Sequence, residues 1–236
     1  MVQERSERTR GRLVVAGAAL FDRRGYAGAT LGEIAAAAGV TKGALYFHFA
    51  SKEDLAGAVS GQAEGALRSA CAELRAASSP LQGLIDAGYW LVDALGTDPV
   101  IRAAFRLGRE DAGWQAPGTA RAVAAGLAVA GSAALDPEHR ALAELRGFHG
   151  VWAGEVRALL VGARRAGELR DRSDGLGPET LVMTAACGLE VVFADGCPTE
   201  ERARRVGALW EWLLPCLVPP GTAAGYRTRP PAAQAA

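Results

Sequence analysis

The stretch from Thr30 to Lys52, TLGEIAAAAGVTKGALYFHFASK, carries lysine, hydroxyl and aromatic side chains that could contact a nucleic acid. Lysine donates to guanine edges and phosphates, hydroxyl groups donate to phosphates, and apolar rings contact thymine methyl groups. A small residue at the start of a helix also lets a partner approach the backbone closely. These residue types favour nucleic-acid recognition, and the candidate contacts are Thr30, Thr41, Lys42, Gly43, Ala44, Tyr46, Phe47, His48 and Lys52.

The same residue types also suit a small packed helical unit that binds nothing. In that alternative, Tyr46, Phe47 and Phe49 are core contacts and the two lysines are solvated. Phe47 and Phe49 are expected to divide between the surface and the core, with Phe49 inside. The choice between the two interpretations depends on whether the flanking residues place the donors at the exposed start of a helix.

Capping residues on both sides of a glycine define the elements that would position these donors. Thr30 followed three residues later by Glu33 is a capping box, which predicts the start of a helix. Gly39 is suited to the left-handed conformation that ends it. Thr41 then caps a second short helix, predicted over Lys42–His48. The pattern is that of a helix-turn-helix, whose second helix reads DNA through its N-terminal residues.

The sequence VTKGALYFHFASKEDL, from Val40 to Leu55, resembles the DNA-binding motif of the tetracycline-repressor family, in particular that of its γ-butyrolactone autoregulator receptors. Two capped helices, the glycine turn, the aromatic run Tyr46–Phe49 and a third helix capped by Ser51 carry the resemblance. It implies a homodimeric repressor of double-stranded operator DNA, released by a small hydrophobic signal. It also implies that the last two helices form a four-helix bundle with their mates, and that the motif residues contact the operator.

Aromatic residues between Tyr89 and Trp152 fit an apolar pocket with a few polar contacts. The resemblance implies that Trp152 lines the signal pocket. Aromatic residues at helical spacing also pack ordinary cores, so both interpretations stay open. Cys187 stands where family members often carry a hydroxyl residue, and the stretch from Leu107 to Trp152 is longer than in those receptors, which leaves room for a different signal. The candidate ligand contacts are Tyr89, Trp90, Phe105, Trp114, Phe148, Trp152 and Cys187.

Helical periodicity without strand alternation predicts an all-α fold. The expected organisation is an N-terminal three-helix DNA-binding domain over 1–55, a helical ligand-binding and dimerisation domain over 56–218, and a Pro- and Ala-rich disordered tail over 219–236. A loop is expected over Glu110–Gly118. The predicted helices outside the motif are Glu7–Arg24 with Gly25 as its stop, Ser51-capped to Ala77, Leu81–Leu95, Val100–Leu107, Ala120–Ala134, Asp136 to near Gly167, Pro178–Phe193, and Pro198 or Thr199 to Leu217.

Composition restricts the remaining classes of function. The net charge is zero over 236 residues, and residues 1–55 carry eight Lys or Arg against six Asp or Glu, so DNA contact must depend on where the cations lie. The four cysteines have no metal-ligand spacing, and no apolar run could span a bilayer. We therefore expect a cytoplasmic protein with no cofactor, metal or membrane partner.

Two alternatives to an autoregulator receptor remain on sequence grounds. One is a drug- or antibiotic-responsive repressor of an efflux gene, which would use the same architecture. The other is an enzyme, because an apolar helical cavity can hold a substrate. The sequence lacks the G-x-S-x-G, H-E-x-x-H and Walker motifs, and its only histidines are His48, His139 and His149, so no catalytic residues are predicted.

Overall fold

The computed structural model of the chain describes residues 2–111, 147–170, 181–182, 185 and 197–231, and every regular element of two or more turns in those ranges is a helix. The prediction of an all-α fold is confirmed. The helices are α1 (Val2–Gly28), α2 (Leu31–Ala37), α3 (Lys42–His48), α4 (Lys52–Ala77), α5 (Pro80–Thr97), α6 (Pro99–Asp111), α7 (Gly147–Arg165) and α8 (Thr199–Leu217), followed by a 3₁₀ turn at Ala223–Gly225.

The boundaries of three helices agree with the predictions. The helices α3, α4 and α8 have the expected ends. Prolines at the first positions of α5 and α6 start these helices earlier than expected, since the first turn needs no proline N–H. The expected loop from Glu110 is wrong for Glu110 and Asp111, which belong to α6. The predicted Ala120–Ala134 helix, the first part of the helix from Asp136, and most of Pro178–Phe193 lie outside the described residues.

The chain divides into two compact units, the first of which comprises the described residues 2–67, 97–111 and 147–151. Its core is formed where α1, α2, α3 and the start of α4 meet, because the apolar stripe of each helix faces the others. Leu13, Phe21, Ile34, Leu45 and Leu55 are fully buried there. The same unit contains α6, which packs along α1.

Gly25 interrupts α1 before its last turn. Its backbone has φ +73° and ψ 175°, outside the helical region, so α1 is two helical segments joined at a kink. Glycine adopts positive φ without the steric cost that a Cβ atom imposes. The predicted stop at Gly25 therefore falls at the true break, although helical turns continue to Gly28.

The second unit comprises the described residues 68–96, 152–170, 181–182, 185 and 197–231. Helices α5 and α8 approach closely at Gly207, where a Cβ atom would lie 2.9 Å from the Tyr89 hydroxyl and 3.0 Å from the Thr228 carbonyl oxygen. The Glu168 carboxylate accepts from the Leu81 N–H at 2.9 Å and so caps the start of α5. Two helices and the chain that follows α8 thus share one junction around Tyr89.

Residues 226–230, which we call the strap, run against α5 and correct the expectation of a disordered tail for residues 219–231. Gln82 Nε2 donates to the Arg227 carbonyl oxygen at 3.1 Å, and the Arg227 N–H donates to Gln82 Oε1 at 2.8 Å. The Arg227 guanidinium pairs with the buried Asp86 carboxylate, and the Tyr89 hydroxyl donates to the Thr228 carbonyl. Composition suggested disorder because the tail is rich in proline and alanine and has few large apolar side chains. The strap is instead held by polar contacts with α5.

Candidate functional site

The first helix of the motif begins as the capping box predicted. Thr30 Oγ1 accepts from the Glu33 N–H at 3.3 Å and donates to the Glu33 carboxylate at 2.8 Å. The hydrogen bond from Thr30, followed by that from Arg24, holds the pKa of Glu33 below its usual value. Arg24 is 2.5 Å from this carboxylate. The start of α2 is thereby tied to the C-terminal part of α1.

The turn between the two helices is held from α1. Gly39 has φ +65°, the left-handed conformation expected at the end of a helix. The Arg12 guanidinium donates to the carbonyl oxygens of Ala38 and Gly39, which α2 leaves without helical partners. Sequence reasoning did not identify this role for Arg12, because nothing in the spacing of the N-terminal arginines distinguishes one that folds back from one that is solvated.

Helix α3 presents one face to the core and the other to solvent. Thr41 Oγ1 accepts from the Ala44 N–H at 3.2 Å, which fixes the first turn. Leu45 and Phe49 are buried, as predicted for Phe49, while Tyr46 is 56% and Phe47 80% exposed. Because its apolar anchors face inwards, α3 has a fixed rotation about its axis. The residues available on its outer side are Thr41, Lys42, Gly43, Tyr46 and Phe47, with Ala44 and His48 half-buried.

Gly32 on α2 provides space for the Lys42 side chain. A Cβ atom at Gly32 would lie 2.9 Å from Lys42 Cε and 3.3 Å from its Nζ. The aliphatic stem of Lys42 therefore crosses the backbone of α2 before it reaches solvent. Gly32 is a second positioning residue that sequence reasoning missed, since its neighbour in space is ten residues away in the chain.

Lys52, at the start of α4, bonds within the unit. Its Nζ donates to the carbonyl oxygens of Tyr26 at 2.9 Å and Ala29 at 3.2 Å, and lies 4.3 Å from the centre of the Tyr26 ring. A lysine ammonium has three donors, so the third can still reach a phosphate. The Tyr26 hydroxyl donates to the Glu53 carboxylate. Burial is the larger cause and this hydrogen bond the second, and together they raise the pKa of Tyr26 to about 12.

The candidate ligand contacts are divided between the two units. In the first unit, the Phe105 and Phe148 rings are edge to face with centres 6.3 Å apart, and His149 Nε2 is 2.9 Å from the Phe105 carbonyl oxygen. In the second unit, Tyr89 and Trp152 are buried and Trp90 is half-buried. Trp114 and Cys187 lie outside the described residues.

Trp152 has an indole N–H that makes no hydrogen bond within the part of the chain that the structure describes, although the side chain is 94% removed from solvent. A buried N–H without an acceptor costs about 1–3 kcal/mol, so such groups are rare and indicate a function or a missing partner. Tyr89 differs, because its hydroxyl already donates to the strap. Among the candidate ligand contacts that the structure describes, Trp152 is the one whose polar atom is buried without a partner in the described residues.

Across the described residues, no group of three or more His, Cys, Asp or Glu side chains is arranged to hold a metal ion. Nor is any helix in these ranges sufficiently long and apolar to cross a bilayer. The motif itself offers hydrogen bonding and charge, because α3 is a short helix that carries the exposed Lys42 in its first turn and the exposed rings of Tyr46 and Phe47 in its second.

A capped, exposed helix after a glycine turn defines the class of protein, a helix-turn-helix regulator. Residues 13–59 match the family model of bacterial regulatory proteins, tetR family. The chain belongs to the tetR family of bacterial regulatory proteins.

Similarity to individual relatives extends over nearly the whole chain. The A-factor receptor protein of Streptomyces griseus is 28% identical over 224 residues, which cover 94% of this chain and 68% of the receptor. A crystal structure of an ArpA-like γ-butyrolactone receptor is 30% identical with a TM-score of 0.65, and the match covers 94% of each chain. CprB from Streptomyces coelicolor, in complex with its biological operator sequence, is 29% identical with a TM-score of 0.68 and the same coverage of both chains.

Proposed function

We propose that this protein is a cytoplasmic, homodimeric repressor that binds operator DNA through α3 and is released by a small hydrophobic signal of the γ-butyrolactone type. The genes it controls would be those of secondary metabolism, including antibiotic production. The single observation that carries the proposal is the exposure of one side of α3, which includes Lys42 in the first turn and Tyr46 in the second. The relatives that bind lactones or an operator support it.

The mode of DNA reading follows from the orientation of α3. A recognition helix enters the major groove with its N-terminal residues towards the bases. Lys42 would donate to a guanine edge or phosphate, and Tyr46 to a phosphate. Gly43 and Ala44 would allow close approach of the backbone, and Thr30, Thr41, His48 and Lys52 would contact phosphates. Phe47 would meet a thymine methyl or the sugar edge.

Signal recognition would centre on Trp152. A lactone carbonyl is an acceptor without a donor, so it complements a buried indole N–H that lacks an acceptor. An acyl chain would be held by apolar side chains of the same unit, for which Tyr89 and Trp90 are candidates. The other candidates are Phe105 and Phe148 of the first unit, and Trp114 and Cys187 outside the described residues. A bound ligand would release DNA if it binds the DNA-free arrangement of the protein more tightly than the DNA-bound one. A 100-fold difference in affinity between the two arrangements shifts their equilibrium by about 2.7 kcal/mol at saturation.

A second copy of the chain would cover the exposed side of α8. Trp212 is 82% exposed there, and a partner surface on this side of α8 would bury its ring. Leu181, in the preceding segment, is also exposed. A dimer places two copies of α3 on one duplex, which predicts an operator with two related half-sites.

A fluorescence-anisotropy titration on the DNA upstream of the protein's own gene tests the proposal. The wild-type protein should bind it with a salt-dependent affinity, and the Lys42→Ala, Tyr46→Ala double variant should bind at least 30-fold more weakly. Arg157→Ala removes one positive charge from α7 and serves as the control that keeps its affinity. Retention of full affinity by the double variant would refute the site.

A panel of lactones, furans and aromatic polyketides, added to the preformed complex, tests the signal. Release by an acyl lactone supports the proposal; release only by drugs or antibiotics would favour an efflux-type repressor instead. Trp152→Phe preserves most of the apolar volume and removes the N–H. An unchanged response of this variant to the active compound would show that the pocket lies elsewhere.

A further inference from the structure

The kink in α1 leaves two backbone groups that α6 satisfies. In a continuous helix the Tyr26 N–H would donate to the Asp22 carbonyl, four residues earlier. Here the Tyr26 N–H donates to Glu110 Oε2 at 2.8 Å, and the Asp22 carbonyl accepts from Arg106 Nη1 at 2.7 Å. Two side chains one turn apart on α6 thus replace the hydrogen bond that is lost at Gly25. Glu110 provides the acceptor for the Tyr26 N–H, and Arg106 provides the donor for the Asp22 carbonyl.

The two α6 side chains act as a single unit. Arg106 Nε donates to Glu110 Oε1 at 2.9 Å, as expected for residues four apart on one helix face. Gly25 lies directly against them: a Cβ atom there would be 2.5 Å from Glu110 Oε1 and 3.0 Å from Arg106 Nη2. Because Gly25 has no side chain, there is space for the Arg106–Glu110 pair at the kink. The pair in turn bonds to the two backbone groups that lose their helical partners at the kink. Arg102 adds a contact to the Asp22 carboxylate at 2.8 Å.

The segment held by this pair is the one from which the DNA-reading helices start. Tyr26 and Ala29 offer their carbonyls to Lys52 at the start of α4, and the Tyr26 hydroxyl donates to Glu53. The next residue after Ala29 is Thr30, the cap of α2. Residues 26–30 are consequently fixed by α6 on one side and by α4 on the other, immediately before the helix-turn-helix.

We infer that Arg106 and Glu110 are positioning residues for DNA recognition: they hold the last turn of α1, and through it the orientation of α2 and α3. This inference rests on the proposed function and adds to it a route from α6 to the reading helix that runs through the α1 kink. Neither residue belongs to the motif. Their part in DNA reading comes from bonds to backbone groups, which only a side chain of the right length and polarity can make.

Three substitutions on α6 separate this role from general stability. Glu110→Ala removes the acceptor for the Tyr26 N–H, whereas Glu110→Gln keeps an acceptor oxygen at the same reach. Arg109→Ala removes a neighbouring charge that makes no hydrogen bond or ion pair with the described residues. We expect Glu110→Ala to bind upstream DNA about tenfold more weakly, while Glu110→Gln stays within threefold of the wild type and Arg109→Ala is unchanged.

Amide hydrogen exchange on the DNA-free, full-length protein provides the second measurement. In Glu110→Ala, the amides of residues 26–49 should exchange at least tenfold faster, with little change in the second unit. Arg106→Gln, which keeps the Glu110–Tyr26 bond, should shift the same amides less and serves if Glu110→Ala does not fold. Equal protection of residues 26–49 in the wild type and both variants would overturn the inference.

The two measurements also separate this inference from the proposed function. If the wild type binds no upstream DNA, the proposed function fails and the exchange comparison still decides whether Glu110 orders the helix-turn-helix. If the wild type binds and Glu110→Ala binds equally tightly, the positioning role is wrong and the proposed function stands. Glu110→Gln and Glu110→Ala both remove the negative charge, so a purely electrostatic effect of Glu110 would be lost equally in the two variants. Retained binding in Glu110→Gln alone would therefore show that the hydrogen-bond acceptor is what matters.

Discussion

Replacing Arg227 by methionine removes the partner of a buried carboxylate in the second unit. Arg227 Nη2 lies 2.9 and 2.8 Å from the two Asp86 oxygens, and the Asp86 side chain is 6% exposed whereas that of Arg227 is 42% exposed. After the change, Asp86 keeps the hydrogen bond from Gln82 at 3.0 Å. Leaving a buried polar group without a partner costs about 1–3 kcal/mol, and more if the group is charged. Because Asp86 keeps the Gln82 bond and Arg227 is already partly solvated, we expect a loss of unfolding free energy of about 1–3 kcal/mol.

The loss should depend on pH in a defined direction. Burial raises the pKa of Asp86 above its ordinary 3.8, against the opposing effects of Gln82 and Arg227. With a raised folded-state pKa, the native state binds the proton more tightly, so this group's contribution to stability declines as pH rises above 3.8 through the folded-state value. Without Arg227 that pKa rises further. The destabilisation by Arg227→Met is therefore expected to be small near pH 4 and largest at pH 7.5.

Urea denaturation of the wild type and variants at pH 4 and pH 7.5 measures both quantities. Arg229→Met, two residues further along the strap, is the matched control, because Arg229 makes no ion pair with the described residues. Combining Arg227→Met with Asp86→Asn should recover part of the loss at pH 7.5, since a neutral amide is cheaper to bury. Equal losses at both pH values, or no recovery in the double variant, would show that the Arg227 guanidinium does not stabilise the ionised Asp86 carboxylate.

Further predictions concern the motif and the candidate pocket. Gly32→Ala should displace the Lys42 stem and weaken operator binding severalfold, while helix propensity leaves the melting temperature equal or higher. Thr41→Val removes the acceptor for the Ala44 N–H and should cost about 1 kcal/mol of stability, measured by thermal denaturation; Thr41→Ser should be close to neutral. Trp152→Phe should abolish or weaken the response to an acyl lactone by about tenfold while leaving operator affinity unchanged; a response equal to the wild type would contradict the assignment of the indole N–H.

The helix-turn-helix could be predicted in detail because its boundaries are encoded locally. Thr30 and Thr41 cap α2 and α3, and Gly39 has the left-handed conformation that its position required. A cap needs only a side-chain oxygen and an amide three residues later, so the sequence contains all the information. The prediction that Phe47 is exposed and Phe49 buried is also confirmed, with Phe49 as the residue that ends α3.

The contacts that position the motif could not be predicted, because they join residues far apart in the chain. Arg12 reaches the turn after α2, and Glu110 reaches the N–H of Tyr26 across 84 residues. The sequence assigns no role to Arg12, and it predicts a loop beginning at Glu110. Charged side chains that satisfy distant backbone groups have no local spacing that distinguishes them from solvated ones.

The strap illustrates the same limit at the C-terminus. A segment rich in proline and alanine has the composition of a disordered tail. Its order in residues 226–230 depends on Asp86, a carboxylate in the middle of α5 that only a partner such as Arg227 makes tolerable. An aspartate on the buried face of a helix is a signal that a cationic partner exists, but it does not indicate which arginine supplies it.

The most direct test of operator reading by α3 is a hydroxyl-radical footprint of the full-length protein on the DNA upstream of its gene. If α3 reads the operator, two half-sites should be protected, about one helical turn or a multiple of it apart. Protection should be lost in the Lys42→Ala, Tyr46→Ala variant and kept in Arg157→Ala. Protection that persists unchanged in the double variant would contradict operator reading by α3.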